Sequence, residues 1–336
     1  MTDTTTTPAA SAAGPRIVTT TGDTPSEWQK KIEGEWVSNP SLFDADGNHV
    51  GFENVSRASV FENGATRYWM NTSIEAVGPL RNRFELGANF DFGVIDSDSN
   101  RVYTGPDFYG TGQPYGTFVD ANYYSPGWTV DLRTWNHILP DGETQVYSSV
   151  LSDGWAVCGV FNGVYKRWFD TTTEKAQAEV AAWKQRERDL GARPHVLPTK
   201  QSGRWIGTME VYAADQSRLG ETHVTIDHEP LSLTRARQTI TWDGALARRY
   251  SFERTRSAGL TTYDGPHIWG NARAFGRALF TAQHFDMEVP NCGVEKIKGR
   301  EFLLDGSLSM SVVWDLWSGD ARSHVVHGLL EWEPSS

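Results

Sequence analysis

The sequence predicts an all-β protein built from a tandem pair of antiparallel β-barrels joined by one α-helix. Short stretches of alternating apolar and polar residues fill most of the chain, and turn residues separate them about every 8 to 12 residues. That spacing is typical of an antiparallel sandwich or a closed barrel. One internal segment has helical composition instead, and a motif near residue 105 recurs near residue 265.

The recurring motif indicates an internal duplication. Residues 105–116, GPDFYGTGQPYG, match residues 265–276, GPHIWGNARAFG, at a constant offset of 160 residues without a gap. Six glycine, proline or aromatic positions correspond, so we expect them to set the same turn in each half. Any functional difference should lie where the copies differ, as at Asp107 and His267.

Two further pairs support the duplication and set the domain boundaries. Gly34-Glu35-Trp36 corresponds to Gly203-Arg204-Trp205, and Asp141-Gly142 corresponds to Asp305-Gly306. The predicted parts are a disordered tail (1–24), a first barrel (25–168), a linker helix (169–194) and a second barrel (195–334).

The helical segment is TTTEKAQAEVAAWKQRERDL, residues 171–190. Good helix formers replace the strand residues there, and Thr171 with Glu174 fits a capping box. Gly191 and Pro194 then provide a stop signal. We expect a linker helix packed on a barrel or bridging the two barrels.

Composition excludes several classes of protein. The net charge of -11 disfavours duplex nucleic acid or an anionic membrane as partner. Cys158 and Cys292 are too few for a disulfide framework, and no CxxC pattern suggests zinc. The Thr-rich N-terminus does not resemble a secretory signal, and no run reaches the roughly 18 apolar residues of a membrane span. We therefore expect a cytoplasmic protein without a metal or other cofactor; a homodimer is compatible with the sequence.

The front and end of the first half, SEWQKKIEGEW and GVYKRW, resemble the lipocalin/calycin superfamily. The resemblance implies that Trp36 closes one end of the barrel and packs under Arg167 as a cation–π pair. The last strand of the second half, GLLEWE, offers no arginine for this pairing. Two-domain lipocalin-like proteins include carotenoid hydratases and decalin-forming cyclases, and nitrobindin-like haem barrels carry a ligand at a position similar to His327.

A barrel of this size leaves room for one small ligand, so polar residues on strand faces are the candidate site. Alternation along VDLRTWNHI places Asp131, Arg133, Trp135 and His137 on one face, which either points inward as an acid/base pair on an aromatic floor or faces solvent. On YGTFVDANYY, Tyr115 and Tyr123 share one face, and Asn122 and Tyr124 share the other. Tyrosines suit a pocket for a mostly hydrocarbon, partly oxygenated ligand.

The second half offers weaker candidates. His284 and Asp286 lie on one strand face and would form an acid/base pair. His324 and His327 lie three residues apart, so strand alternation puts them on opposite faces and disfavours a shared metal. His267, His284 and Arg277 mark the second barrel as the next place for a site.

The sequence supports three hypotheses of function. The first is a cofactor-independent isomerase, cyclase or lyase acting on a hydrophobic small molecule, and the second is a carrier for such a ligand. The third is a haem protein with His327 or His324 as ligand. The predicted catalytic residues are His137, Asp131, Tyr124 and Tyr109. The predicted substrate-binding residues are Arg133, Trp135, Tyr115, Tyr123, Asn122, Tyr147, His284 and Trp269.

Overall fold

The computed structural model of the protein describes residues 24–83, 88–105, 108–197, 200–285, 295–304, 306 and 308–335. It confirms the all-β class and the two closed antiparallel barrels. The predicted tail lies outside the described residues except for Thr24. No helix in the described part of the chain is long and apolar enough to cross a membrane.

The first barrel is built from strands β1 to β11. β1 and β2 each pair with β3 and with β11, so they are two halves of one first strand, and the barrel closes with ten strands. The break falls at Asn39-Pro40, since proline has no N–H for a strand ladder. The strands are β1 (Glu35–Ser38), β2 (Ser41–Asp44), β3 (His49–Glu62), β4 (Ala65–Ala76), β5 (Ala88–Asp96), β6 (Arg101–Thr104), β7 (Tyr109–Tyr115), β8 (Phe118–Ser125), β9 (Val130–Ile138), β10 (Thr144–Asp153) and β11 (Ala156–Trp168).

The second barrel closes with ten strands in chain order, because β12 pairs with β21. The strands are β12 (Gly203–Ala213), β13 (Arg218–Pro230), β14 (Arg235–Gly244), β15 (Arg248–Ser257), β16 (Leu260–Asp264), β17 (Ile268–Phe275), β18 (Ala278–Phe285), β19 (Glu295–Leu303), β20 (Ser309–Ser318) and β21 (Ala321–Pro334).

Three helices complete the described fold: α1 (Glu27–Ile32), α2 (Pro79–Arg83) and α3 (Glu174–Gly191). α3 confirms the predicted helix, but the expected cap at Thr171 is wrong. Thr173 is the N-cap, and its hydroxyl accepts a hydrogen bond from the Ala176 N–H at 3.2 Å. Thr171 instead donates to a carboxylate oxygen of Glu35.

α3 bridges the barrels through one buried carboxylate. Glu187 accepts a hydrogen bond from the Val164 N–H of the first barrel at 2.8 Å and from Arg277 Nη2 of the second at 2.7 Å. Arg277 is therefore held by an ion pair to the helix.

The duplicated motif forms the same turn in each barrel, as predicted. The N–H of Gly105 donates to the carbonyl of Phe108, and the N–H of Gly265 donates to that of Ile268. Gly116 (φ 62°) and Gly276 (φ 57°) then turn the chain into the next strand with a left-handed backbone.

Each duplicated turn is also seated against the opposite barrel. His327 of β21 donates from Nε2 to the Tyr115 carbonyl at 2.8 Å, and Asn162 of β11 donates to the Phe275 carbonyl at 3.0 Å. Tyr115 and Phe275 are equivalent residues of the motif. In each barrel the carbonyl at this position therefore accepts a hydrogen bond from a side chain of the other barrel.

Candidate functional site

The first barrel encloses two adjoining chambers that share Arg57, Tyr68, Tyr103 and Tyr123. Their cavity volumes are about 50 and 40 Å³. A ligand is therefore small or displaces side chains. The larger chamber is otherwise lined by Glu53, Met70, Phe92, Phe108, Trp128, Leu132, Thr134 and Tyr147.

α1 closes the end of the barrel beside the smaller chamber. Gln29 donates to the Ser59 carbonyl at 2.7 Å, and Trp28 packs into the barrel core. Trp36 lies under the Arg167 guanidinium at 5.4 Å from its ring centroid, which confirms the pair that the resemblance implied. Only a small residue fits at Gly34, since a Cβ there would lie 3.1 Å from the Arg167 side chain.

Strand β3 carries the central polar residues of the cavity. Glu53, Val55, Arg57 and Ser59 alternate along it, and Val55 belongs to the barrel core, which identifies this face as the inner one. Pairing of Arg57 with Trp36 on β1 and Met70 on β4 then fixes its height in the barrel.

Arg57 is a cation inside the barrel without a carboxylate partner among the described residues. Its Nη2 donates to Asn136 Oδ1 at 2.8 Å and to Gln145 Oε1 at 2.5 Å. Its guanidinium lies 4.1 Å from the Tyr165 ring centroid and 5.4 Å from that of Tyr147. Neutral amides and ring faces position this charge, and no carboxylate among the described residues lies within ion-pair distance of it.

Glu53 supplies a proton-exchanging group to the same cavity. Burial raises its pKa to about 7, although the hydrogen bond from Thr72 and the charge of Arg57 lower it. Thr72 donates to Oε1 at 2.9 Å, and Oε2 is buried without a hydrogen-bond partner in the described structure. A carboxyl group that titrates near neutrality is suited to general acid/base work.

Tyrosine hydroxyls supply the remaining polarity. Burial raises the pKa of Tyr123, Tyr147 and Tyr165. These phenols therefore stay protonated at neutral pH and keep a hydroxyl proton that can be donated in a hydrogen bond.

The second barrel lacks this arrangement at the equivalent positions. Trp36 pairs with Arg57, whereas Trp205 of the second Gly-x-Trp pairs with Ile226. The same register places Thr222 where the first barrel has Glu53, and Leu330 where it has Tyr165. Trp332 takes the place of Arg167, and its ring lies 5.3 Å from that of Trp205. The polar cavity is thus specific to the first barrel.

Of the two orientations left open for the Asp131–His137 face, the inward one is wrong, and the solvent-facing one holds only for Asp131. This face is on the outside of the first barrel, where Asp131 is exposed and the other three residues contact the second barrel. Arg133 donates to Asp315 at 2.9 Å, and His137 Nδ1 lies 2.9 Å from Ser311 Oγ. Trp135 packs near Phe280. This face carries both charged and aromatic side chains because most of it packs against the second barrel.

The predicted tyrosines separate into three places. Tyr123 and Tyr147 line the cavity. Tyr115 lies in the interface between the barrels, where Arg322 donates to its hydroxyl at 2.9 Å. Tyr109 and Tyr124 pair on the outer surface with ring centroids 5.5 Å apart, and Asn122 is exposed on the same face.

The candidates of the second half do not form a common site. Trp269 and His267 are exposed. The backbone of His284 pairs with that of Trp269, while its side chain, Asp107 and Asp286 lie outside the described residues. Among the described residues no group of three or more metal-ligating side chains occurs.

The two C-terminal histidines lie on opposite faces, as predicted. His324 is partly buried on the face that carries the core residue Val326, and His327 is in the interface between the barrels. His327 Nε2 is occupied by the Tyr115 carbonyl, and its ring stacks on Tyr212 at 5.5 Å. This placement does not present His327 to either barrel interior as a haem ligand.

Arg57 and Glu53 are not among the site residues that the sequence predicts. The segment GFENVSRASV alternates in the manner of a strand, but both of its faces mix polar and small residues. One pattern in this segment could have indicated the site: Glu53, Val55 and Arg57 are spaced two residues apart and so share one strand face. Charged side chains default to the solvent face, and only the pairing register shows that this face is inside.

Comparison with known proteins supports the fold alone. No protein-family model matches the chain, and no curated protein matches it by sequence. The chain is similar in structure to a protein of unknown function of the DUF3598 family from Nostoc punctiforme, with 11% identity and a TM-score of 0.54. That match covers 93% of this chain and 100% of the other.

Transferrin binding protein B of Neisseria meningitidis matches far more loosely. Its identity to this chain is 8% and the TM-score is 0.25, with 85% of this chain and 66% of the other covered. A TM-score this low carries no structural inference.

Proposed function

We propose that the first barrel binds a small, largely apolar molecule that carries a carboxylate or carbonyl oxygen, and acts on it as a cofactor-independent isomerase, cyclase or lyase. The observation that carries the proposal is Arg57, a cation in the cavity with amide and ring partners, at the place where the second barrel has Ile226. An uncompensated guanidinium in an apolar cavity is costly unless a ligand oxygen uses it.

The chemistry follows from the spacing of Arg57 and Glu53. Four residues of extended strand separate their Cα atoms by roughly 13 Å, and both side chains line the larger chamber. Arg57 and the tyrosine hydroxyls stabilise negative charge that develops on a carbonyl oxygen. Glu53 takes a proton from the adjacent carbon and returns it at another position, so that no electrons leave the substrate.

A carrier without catalysis is the second candidate. The observation that favours it is the set of protonated tyrosine hydroxyls, which bind oxygens without moving protons. In a carrier, Glu53 would be a buried carboxylic acid that lines the cavity and transfers no proton to or from the ligand. The proposal and the carrier therefore differ in what Glu53 does.

Deuterium exchange separates the two. Phenylacetone, an apolar ketone with an acidic C–H, is incubated with the protein in D₂O, and the loss of its proton signal is followed by NMR. We expect exchange that rises with pH to an inflection near 7, and that falls at least 100-fold in Glu53→Gln. Binding of phenylacetone without accelerated exchange would leave the carrier, and neither binding nor exchange would contradict both.

The ten-stranded barrels and the Trp36–Arg167 pair also support a lipocalin/calycin-like relationship, which we include in the proposal. A cytoplasmic site of action is proposed on the amino-acid composition.

A further inference from the structure

A second cavity lies at one end of the second barrel, between the segment that follows α3 and the turn joining β13 to β14. Its cavity volume is about 50 Å³. The wall is apolar at Leu197, Pro230 and Leu233, and basic at Arg235, Arg254 and Arg256. It is separate from the chambers of the first barrel.

Two of the basic residues occupy one face of β15. Phe252 packs into the barrel core, so Arg254 and Arg256, two and four residues on, share its inward face. Arg254 is 9% exposed, and its one hydrogen bond to a described residue runs from Nη1 to Glu301 at 3.5 Å. In the described part of the chain, the guanidinium of Arg256 makes no hydrogen bond or ion pair.

Charge around this cavity is not balanced. Glu301 is the one carboxylate within ion-pair distance of Arg254 among the described residues, and burial raises its pKa. His195 is 4% exposed, and neither of its ring nitrogens has a hydrogen-bond partner there. Burial, with the charges of Arg254 and Arg256, lowers the pKa of His195 and keeps it neutral. Because Arg235 is paired with Glu253, the guanidinium groups of Arg254 and Arg256 have one carboxylate, Glu301, between them.

We propose that this cavity binds a small monocarboxylate with a short apolar tail. The carboxylate meets Arg254 and Arg256, since planar guanidinium groups match carboxylate oxygens. The tail lies against Leu197, Pro230 and Leu233. This site is independent of the proposed function of the first barrel.

Calorimetric titration with hexanoate tests the proposal on the full chain. We expect hexanoate to bind the wild-type protein, and Arg254→Met and Arg256→Met to weaken binding at least tenfold. Arg256→Met removes an exposed side chain, so folding is not at risk. Arg237→Met, which removes an exposed arginine paired with Glu229, is the matched control and should bind as wild type.

Two further titrations identify the site and the class of ligand: hexanoate with the Arg57→Ile variant, and hexanol with the wild-type protein. Arg57→Ile removes the cation of the first barrel, so the hexanoate binding that remains in this variant belongs to the second-barrel cavity; loss of all hexanoate binding in Arg57→Ile would place the ligand in the first barrel and overturn the assignment. Hexanol should bind at least tenfold more weakly than hexanoate. Equal affinity for inorganic phosphate, no binding of hexanoate, or unchanged binding in both Arg254→Met and Arg256→Met would contradict the proposal.

Discussion

Arg57 of the first barrel and Ile226 of the second occupy equivalent positions, each paired across the sheet with the tryptophan of a Gly-x-Trp motif. The two barrels share the same strand pairing around the Gly-x-Trp motif. Only the first barrel has a cation at the position paired with the tryptophan. The aliphatic residue at the second position shows that the frame does not require the charge. Arg57 therefore has a role other than holding the barrel together.

Arg57→Ile should leave the protein folded and nearly as stable as the parent. A buried charge replaced by an apolar residue of similar bulk is often neutral or stabilising, and no carboxylate is left unpaired by the change. We expect the free energy of unfolding to fall by no more than about 1 kcal/mol. Urea unfolding measures it, and a loss of several kcal/mol would make Arg57 structural.

Glu53 should make stability depend on pH. Its pKa is about 7 in the folded protein against an ordinary value of 4.5, so the folded state binds more protons between these pH values. Stability then falls as pH rises from about 4.5 to 7 and is constant above. Glu53→Gln removes this loss and should gain on the order of 1–3 kcal/mol over wild type at pH 8, and almost nothing at pH 4.5.

Urea unfolding of both proteins at the two pH values checks the Glu53 prediction. A stability difference that does not change between pH 4.5 and pH 8 would contradict the raised pKa.

The duplicated turns at Gly116 and Gly276 should be destabilised by any side chain at the glycine. A Cβ on Gly116 would lie 2.0 Å from the Tyr212 hydroxyl of the second barrel, and one on Gly276 would lie 2.5 Å from the Phe43 ring of the first. Gly116→Ala and Gly276→Ala should each cost about 2–4 kcal/mol, from backbone strain and displaced contacts together.

Gly64→Ala and Gly154→Ala are the matched controls for the turns. Both glycines have positive φ, but a Cβ at either would meet nothing within 4 Å. They should cost only about 1–2 kcal/mol. Urea unfolding measures the loss in the free energy of unfolding for all four variants. Equal losses would mean that contact with the opposite barrel does not constrain the two turns.

His327 should make the contact between the barrels sensitive to acid. Burial lowers its pKa to about 4, although the nearby Glu210 and the Tyr115 carbonyl raise it. The unfolded chain binds a proton near the ordinary value of 6.5, so stability is lost as pH falls from about 6.5 to 4. The loss is on the order of 1–3 kcal/mol.

His327→Gln keeps an N–H donor for Tyr115 without titrating. Its free energy of unfolding should therefore fall less than that of wild type between pH 7 and pH 4.5. Parallel pH profiles of the two proteins would show that His327 is protonated equally in both states.

The sequence predicts the architecture because strand alternation, turn residues and a helical segment are local signals. The duplicated glycines also mark the turns correctly, and α3 differs from its prediction only at the ends. The site is harder to predict because most of the Asp131–His137 face packs against the second barrel, and a single sequence does not reveal a second domain packed against a strand face. Arg57 was missed since its inward orientation depends on pairing with Trp36.

Binding of a small aromatic carboxylate tests the central claim most directly. Benzoate and benzyl alcohol are titrated against the wild-type protein, Arg57→Ile and Arg67→Met, with intrinsic tryptophan fluorescence as the signal, since Trp28, Trp36 and Trp128 line the chambers. Arg67→Met is the control because Arg67 is exposed on the same barrel and paired with Asp91. We predict at least tenfold tighter binding of benzoate than of benzyl alcohol by wild type and Arg67→Met, and loss of that preference in Arg57→Ile. An unchanged preference in Arg57→Ile, or no binding of benzoate to the wild-type protein, would contradict the account.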